Sequence, residues 1–257
     1  MIELQQICFS YPGQPPLLQD ISAVFAEKKI TAIVGPNGCG KSTLLKIACR
    51  LLQPSSGRVL LRGQDIRQMK TKALARQVAL LSQTNHPPQI TVEELVAYGR
   101  YPHQHYGQGL SRQDAIIIDH ALQQVKADSY RQHRVDQLSG GQRQRAYIAM
   151  ALAQDTDVIL LDEPTTYLDI HIRFEIMDLL GALNRAGKTI IMVLHDLNLA
   201  LEYADHILLM NQGQIQIQGT PQAVIASGLL DVVFQMQTHI FEKDGQHFYQ
   251  FAKGRQP

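Results

Sequence analysis

Short apolar runs alternate along the chain with polar and glycine-bearing stretches, a pattern typical of a domain that mixes strands and helices. The runs at 30–34, 158–161 and 189–194 are continuous and largely aliphatic. Because both faces of such a strand must be covered, these runs predict buried parallel strands. Alternation over residues 2–11 and an apolar run near 18–25 predict two more strands at the start of the chain.

Helical periodicity lies between the strand patterns. Apolar positions recur at helical spacing over 111–125 and 171–184. Thr91 and Glu94 form a capping-box pattern that predicts the start of another helix. Residues 84–137 carry no strand pattern, so we expect a small helical subdomain inserted into an α/β core. Turn residues between short runs predict one hairpin over 206–217 and a second over 237–251, with an Asp-Gly turn at 244–245.

A glycine-rich stretch between the run at 30–34 and the apolar residues 44–48 is the strongest chemical signal. Its glycines let successive N–H groups point inward at an anion, and a helix that starts at its lysine adds partial positive charge. Strand, loop and helix in this order predict a phosphate-binding loop in which the lysine reaches the terminal phosphates and the serine ligates Mg²⁺. The nine residues are Gly35, Pro36, Asn37, Gly38, Cys39, Gly40, Lys41, Ser42 and Thr43.

Polar side chains follow three of the predicted strands. Gln83 ends the run 78–83, Asp162 and Glu163 end the run 158–161, and His195 ends the run 189–194. Ligands of open α/β sheets bind beyond the carboxyl ends of the strands, so these residues are candidates for one site. Two adjacent carboxylates are costly there unless they meet a cation. Asp162 therefore suits a metal shell, and Glu163 suits a base or a residue that orients water.

Several candidates stay open on the residues alone. Tyr11 could stack on a purine base, although core packing is the commoner role of an aromatic side chain. Leu138 to Gln142 is a turn that opens a predicted helix over 142–153. It can bind an anion at the helix N-terminus, or serve as an ordinary cap. His103 and His105 lack the further ligands of a structural metal site and fit the surface better. Cys39 is more readily a small filler than a redox group.

Charge and length narrow the function classes. The chain has 257 residues with 24 basic and 23 acidic side chains, a formal net charge of +1, so no global field favours nucleic acid. No apolar run approaches the ~20 residues that span a bilayer, and the first residues lack a signal-peptide pattern. Three cysteines without metal-ligand spacing fit a reducing compartment. We therefore expect a cytosolic protein whose membrane role, if any, depends on a partner.

Taken together, these motifs resemble the nucleotide-binding subunit of ABC transporters. The resemblance covers the whole chain and depends on the order of the phosphate loop, the Leu-Ser-Gly-Gly-Gln segment and the Asp-Glu-Pro strand. It implies an α/β P-loop NTPase fold of ABC type, with a RecA-like mostly parallel sheet, an N-terminal antiparallel β part and the inserted helical subdomain. The implied division is 1–83 and 138–225 for the core, 84–137 for the subdomain and 226–257 for a C-terminal extension with a hairpin.

The resemblance also implies a role for each open residue. ATP and Mg²⁺ are the expected ligands, with adenine stacked on Tyr11. Gln83, Glu163 and His195 are the expected catalytic residues, and Ser42, Gln83 and Asp162 the expected metal shell. Two copies are expected to close head to tail, so that ATP on one copy is capped by residues of the other. Those capping residues are Ser139, Gly140, Gly141 and Gln142, with Asp169 at the seam between the copies.

The subclass resembles the importers of ferric siderophores, haem and cobalamin. The residues that carry this are the helix start at Thr91, the segment from Gly99 to His103, and His195 to Asn198. The resemblance implies permease subunits that dock near Gln83 and the 99–103 segment, an indirectly coupled binding protein, and a location at the cytoplasmic face of the inner membrane. A soluble ABC protein that acts on nucleic acid is the alternative. Such a protein is expected to have a coiled-coil insertion or a basic face, and the sequence predicts neither.

Overall fold

The computed structural model describes residues 1–82, 87–104, 107, 109–243 and 246–254. The strands are β1 (Ile2–Phe9), β2 (Leu18–Phe25), β3 (Ile30–Val34), β4 (Ser56–Leu61), β5 (Gln64–Asp65), β6 (Val78–Leu81), β7 (Val158–Asp162), β8 (Thr189–Val193), β9 (His206–Asn211), β10 (Gln214–Gly219), β11 (Met236–Lys243) and β12 (Gln246–Lys253). The helices are α1 (Lys41–Ala48), α2 (Thr71–Ala75), α3 (Val92–Tyr98), α4 (Arg112–Gln124), α5 (Gly140–Ala153), α6 (Ile170–Arg185), α7 (Leu197–Tyr203), α8 (Pro221–Ala226) and α9 (Leu229–Phe234).

The strands form two main sheets. A six-stranded sheet has the order β10-β9-β3-β8-β7-β6, and the pairs from β9 to β6 are all parallel. A four-stranded antiparallel sheet, β2-β1-β4-β5, is built mainly from the N-terminal strands. This confirms the predicted α/β fold with a mostly parallel sheet and an N-terminal antiparallel part.

The parallel sheet is covered on both faces, as its apolar strands require. Alternate residues of β3 and β8 enter two different cores: Ile33 and Ile191 pack with α1 and the antiparallel sheet, whereas Ala32 and Ile190 pack on the opposite side. All residues of β3 and β8 are buried. Packing on both faces of the sheet therefore fixes the positions of the strand ends that carry the polar candidates.

Between β6 and α5, the described residues form α3, α4 and short 3₁₀ turns, with one isolated bridge from Thr91 to Arg134. Thr91 caps α3 with a complete capping box, as its sequence pattern predicts, and Ser111 caps α4 in the same way. Helix α3 packs tightly on α5. A Cβ atom added to Gly99 would lie 2.2 Å from the Met150 carbonyl oxygen, so this crossing requires glycine.

Buried hydrogen bonds hold the segment after α3 in place. Arg100 is 5 % exposed, and its guanidinium donates to Asp114 Oδ1 at 2.7 Å and to the Ala153 carbonyl at 2.7 Å. Burial alone would raise the pKa of the Asp114 carboxyl, but hydrogen bonds from Ser111 and Arg100 outweigh it and lower that pKa to about 2. The exposed side chains here are Tyr98 and Tyr101, so Arg100 does not present its charge to a partner.

Some boundaries differ from the sequence prediction. Helix α5 begins at Gly140, two positions before the predicted start at Gln142, because Ser139 caps it. The run 58–63 predicts a strand, but β4 spans Ser56–Leu61 and starts two positions earlier, because Ser56 pairs with Cys8. The C-terminal hairpin β11-β12 forms as predicted, although its predicted turn at 244–245 lies outside the described residues. Among the described helices, none is long and apolar enough to cross a membrane.

Candidate functional site

The phosphate loop joins β3 to α1, as its sequence predicts. Gly35 has no room for a side chain, because an added Cβ atom would lie 2.2 Å from the Met210 carbonyl oxygen of β9. Gly40 precedes α1 with φ of 100°, a left-handed conformation that favours glycine. The two glycines therefore let the loop lie close to β9 and then turn directly into the helix.

Lys41 is 6 % exposed and is the first residue of α1. Its Nζ donates to the carbonyl oxygens of Gly35 and Pro36 at 2.8 and 2.9 Å. The ammonium group is thus held over the loop by the backbone of the loop itself. A phosphate that enters the loop meets this charge together with the N-terminus of α1.

The next residue links the loop to the neighbouring acidic strand end. Ser42 Oγ donates to Asp162 Oδ1 at 2.7 Å. Burial raises the pKa of the Asp162 carboxyl, and the nearby charge of Glu163 raises it further. A hydroxyl and a carboxylate at this separation, beside a phosphate loop, fit the oxygen ligands that Mg²⁺ takes from protein.

Glu163 follows β7 with φ of 55°, in the left-handed region. Its Oε1 atom lies 2.5 Å from His195 Nε2, and its Oε2 atom accepts a hydrogen bond from Thr166 Oγ1 at 3.0 Å. The prediction that Glu163 and His195 lie close together matches this geometry, since the two strands that carry them are neighbours. Thr166 is a contact that the sequence reasoning missed.

Tyr11 lies at the rim of the loop. Its ring packs edge-on against Phe9 with centroids 4.9 Å apart, and its hydroxyl is 3.2 Å from Thr43 Oγ1. One cavity of about 620 Å³ is lined by Tyr11, by the loop and by the two strand-end residues: Asn37, Gly38, Gly40, Lys41, Ser42, Thr43, Glu163 and His195. Pockets of this size hold nucleotide-sized ligands.

The Ser139 segment forms the start of helix α5. Ser139 Oγ accepts from the Gln142 N–H at 3.3 Å, and the Gln142 side chain accepts from the Ser139 N–H at 3.2 Å, so the two residues cap α5. Gly140 lines a smaller cavity of about 180 Å³ that adjoins the first, since Glu163 and Thr166 line both. A Cβ atom added to Gly141 would lie 2.8 Å from the side chain of Ile172. Within one chain, these four residues do not line the cavity that Lys41 lines.

The remaining candidates are distributed as follows. Asp169 precedes α6 without a side-chain cap bond, beside the 89 % exposed Tyr167. Gln83 lies outside the described residues. Burial raises the pKa of the Cys39 thiol, the opposite of a reactive thiolate. His103 Nε2 is 2.9 Å from the Gln154 carbonyl oxygen, and no cluster of three metal-ligating side chains occurs in the part of the chain that the structure describes.

Comparison with known proteins gives a consistent result. The family model described as ABC transporter matches residues 18–166. The achromobactin transport ATP-binding protein CbrD of Dickeya dadantii (strain 3937) is 46 % identical over 93 % of this chain and 89 % of that protein. The iron(3+)-hydroxamate import ATP-binding protein FhuC of Bacillus subtilis (strain 168) is 42 % identical over 93 % and 89 %.

A solved structure shares the fold. It is the dimeric post-hydrolysis state of the ATP-binding cassette MJ0796 bound to ADP and Pi. The likeness has a TM-score of 0.75 and 28 % identity, and it covers 86 % of this chain and 99 % of that one.

Proposed function

Since the chain belongs to the ABC transporter family and is an ABC-type ATPase, we propose that it energises uptake of an iron–siderophore complex through a membrane permease. The observation that carries this proposal is a single cavity lined by Lys41, Ser42 and the Glu163–His195 pair, with Asp162 hydrogen-bonded to Ser42. The names of the similar iron(3+)-hydroxamate and achromobactin proteins support the substrate class.

Each site residue has a role in this proposal. The loop from Gly35 to Thr43 binds the β- and γ-phosphates through the backbone N–H groups of its non-proline residues and through the Lys41 ammonium, and Tyr11 stacks on adenine. Ser42, Asp162 and Gln83 would hold Mg²⁺, which neutralises charge on the phosphates when it is bound. Glu163 accepts the proton of the attacking water, while His195 holds the Glu163 carboxylate and faces the γ-phosphate.

The second half of the site comes from another copy of the chain. Because Ser139, Gly140, Gly141 and Gln142 do not line the Lys41 cavity of their own chain, we place them over ATP bound to a second copy, with Asp169 at the seam. The helix that starts at Gly140 offers its N-terminus to the phosphates. The dimeric state of the similar cassette supports the pairing of two copies, which the proposal places head to tail.

The proposal extends to the other components of the transporter and to the location of the chain. Permease subunits dock near Gln83 and the segment from Gly99 to His103, where Tyr98 and Tyr101 are exposed aromatic anchors. A periplasmic or lipoprotein binding protein delivers the substrate to the permease, and the chain lies peripherally at the cytoplasmic face of the inner membrane. The chain divides into a core (1–83 and 138–225), a helical subdomain (84–137) and a C-terminal extension (226–257).

Transport by the intact complex tests the substrate class. Vesicles that contain the permease, the binding protein and this chain are supplied with ATP and, in parallel, with radiolabelled ferric siderophore, haem or cobalamin. We expect ATP-dependent uptake of the ferric siderophore, and no uptake when the chain carries Glu163→Gln. Uptake of haem or cobalamin alone would refute the siderophore assignment while leaving the ATPase role intact. ATP-independent uptake would refute the energising role.

A further inference from the structure

The carboxylate of Glu163 is held at both of its oxygens. His195 contacts Oε1, and the Thr166 hydroxyl donates to Oε2 at 3.0 Å. A carboxylate with a donor on each oxygen cannot rotate about its terminal bond without losing one of them. Thr166 therefore fixes the plane of the Glu163 carboxylate as much as His195 does.

Thr166 is bound to Glu163 a second time, through the backbone. Its N–H donates to the Glu163 carbonyl oxygen at 3.3 Å, which closes a turn over residues 163–166. Glu163, which starts this turn, and Tyr167, which follows it, have φ of 55° and 62°, which is uncommon for residues with a side chain. The side-chain bond and the backbone bond together hold a turn whose conformation local preferences do not favour.

The position of Thr166 places it between a surface and the site. It lines the 620 Å³ cavity together with Lys41, and also the 180 Å³ cavity together with Gly140. The next residue, Tyr167, is 89 % exposed. A displacement of Tyr167 would therefore act on the hydroxyl that holds Glu163.

We propose that Thr166 is a positioning residue for ATP hydrolysis, which it serves by holding the Glu163 carboxylate aimed into the cavity that Lys41 lines. The inference rests on the proposed role of Glu163 as the base. A base that is displaced or free to rotate spends less time within reach of the attacking water, and such misplacement lowers the rate of the chemical step while leaving substrate binding intact.

The test compares three variants of the intact transporter complex. Thr166→Val keeps the branched shape and removes the donor, Thr166→Ser keeps the donor, and Thr165→Val is the matched control at the neighbouring buried threonine. We expect Thr166→Val to lower kcat about tenfold, the effect of one lost hydrogen bond to a charged group, with KM for ATP within about twofold of the wild type. Thr166→Ser and Thr165→Val should retain wild-type kcat.

Other outcomes overturn the proposal. An unchanged or raised kcat in Thr166→Val would do so, as would a rise in KM alone, or a Ser variant as slow as the Val variant. If the valine weakens folding, Thr166→Ala gives the same comparison with Thr166→Ser. The Glu163→Gln complex tests the role of Glu163 separately from that of Thr166. If it hydrolyses ATP at the wild-type rate, the assigned base is wrong, whatever the Thr166 variants show.

Discussion

The Nε2 atom of His195 lies 2.5 Å from the Oε1 atom of Glu163, although the two residues are 32 positions apart in the chain. The pairing of β7 with β8 explains this contact, since Asp162 lies opposite Val193 in parallel register. The residues that follow this pair leave the sheet at the same edge. The register of two buried strands thus sets the distance between the proposed base and its histidine partner.

Glu163→Gln should retain ATP binding and lose turnover. The amide has the same shape but cannot accept a proton, while Lys41 and Asp162 keep their contacts, so we expect kcat to fall at least ~100-fold. ATPase assays and nucleotide-binding titrations on the same preparation measure the two effects. ATP should also trap the variant as a dimer in size-exclusion chromatography. Steady hydrolysis at the wild-type rate would contradict the role of Glu163.

Lys41→Ala should weaken ATP binding. The variant loses the buried charge held over the loop by Gly35 and Pro36, and we expect the Kd for ATP to rise by at least about tenfold, the effect of one charge-assisted contact. Isothermal titration measures the change, and the exposed Lys70→Ala serves as the control for a lost lysine. A Kd equal to that of the wild type would show that Lys41 does not contact the phosphates.

Much of this site can be predicted from the sequence, because its parts are either neighbours in the chain or lie at the ends of neighbouring parallel strands. The loop from Gly35 to Thr43 has fixed spacing between a strand and a helix, and the polar ends of β7 and β8 meet because parallel strands end at one edge. Other features depend on three-dimensional packing. A threonine near a glutamate carries no signal of its own, so the bond from Thr166 to Glu163 emerges only in the folded turn.

The contacts of the 99–103 segment were hidden for the same reason. Arg100 in a polar loop suggests an exposed charge, yet the fold buries it against Asp114 and the end of α5. The short helix α2 has too few residues for a periodic pattern. Completion of the site by a second copy is a property of two chains, and the order of residues in one chain indicates it only through family resemblance.

Asp114→Asn should destabilise the fold. The change leaves the Arg100 guanidinium buried without a compensating charge, so we expect the free energy of unfolding to fall by about 3 kcal/mol. Asp119→Asn on the same helix is the matched control: its pair with Arg131 is only half-buried and Arg131 also pairs with Glu93, so the expected change is at most about 1 kcal/mol. Chemical denaturation of both variants measures the difference. Equal changes would contradict a special role for the buried pair.

The same pair predicts a pH dependence. The pKa of Asp114 falls from an ordinary value of 3.8 to about 2 in the folded chain, so its contribution to stability is present above pH 3.8 and is lost as the pH falls toward about 2. Denaturation curves between these pH values should show a smaller loss of stability in Asp114→Asn than in the wild type. Identical slopes in the two proteins would show that Asp114 is not the titrating group.

Tyr130→Phe should stabilise the fold slightly. The Tyr130 hydroxyl is buried, and it has no hydrogen-bond partner among the described residues. Removing an unpaired polar group should raise the free energy of unfolding by about 1 kcal/mol. Tyr203→Phe is the contrasting control, because the Tyr203 hydroxyl donates to Asp178 at 3.0 Å and its removal should lower stability. A clear loss of stability in Tyr130→Phe would mean that its hydroxyl is paired.

Helix α5 connects the segment after α3 to the cap at Ser139, and α3 packs closely against it at Gly99. At one end, the carbonyl oxygens of Ala153 and Gln154 are bonded to Arg100 and His103. At the other end, roughly 20 Å away at 1.5 Å per residue, lies the cap at Ser139. In the proposed complex, a permease contact that displaces the segment after α3 would therefore also displace the Ser139 end of α5, because both are attached to one continuous helix. The proposed docking surface and the proposed cap over ATP of the second copy would thus change position together.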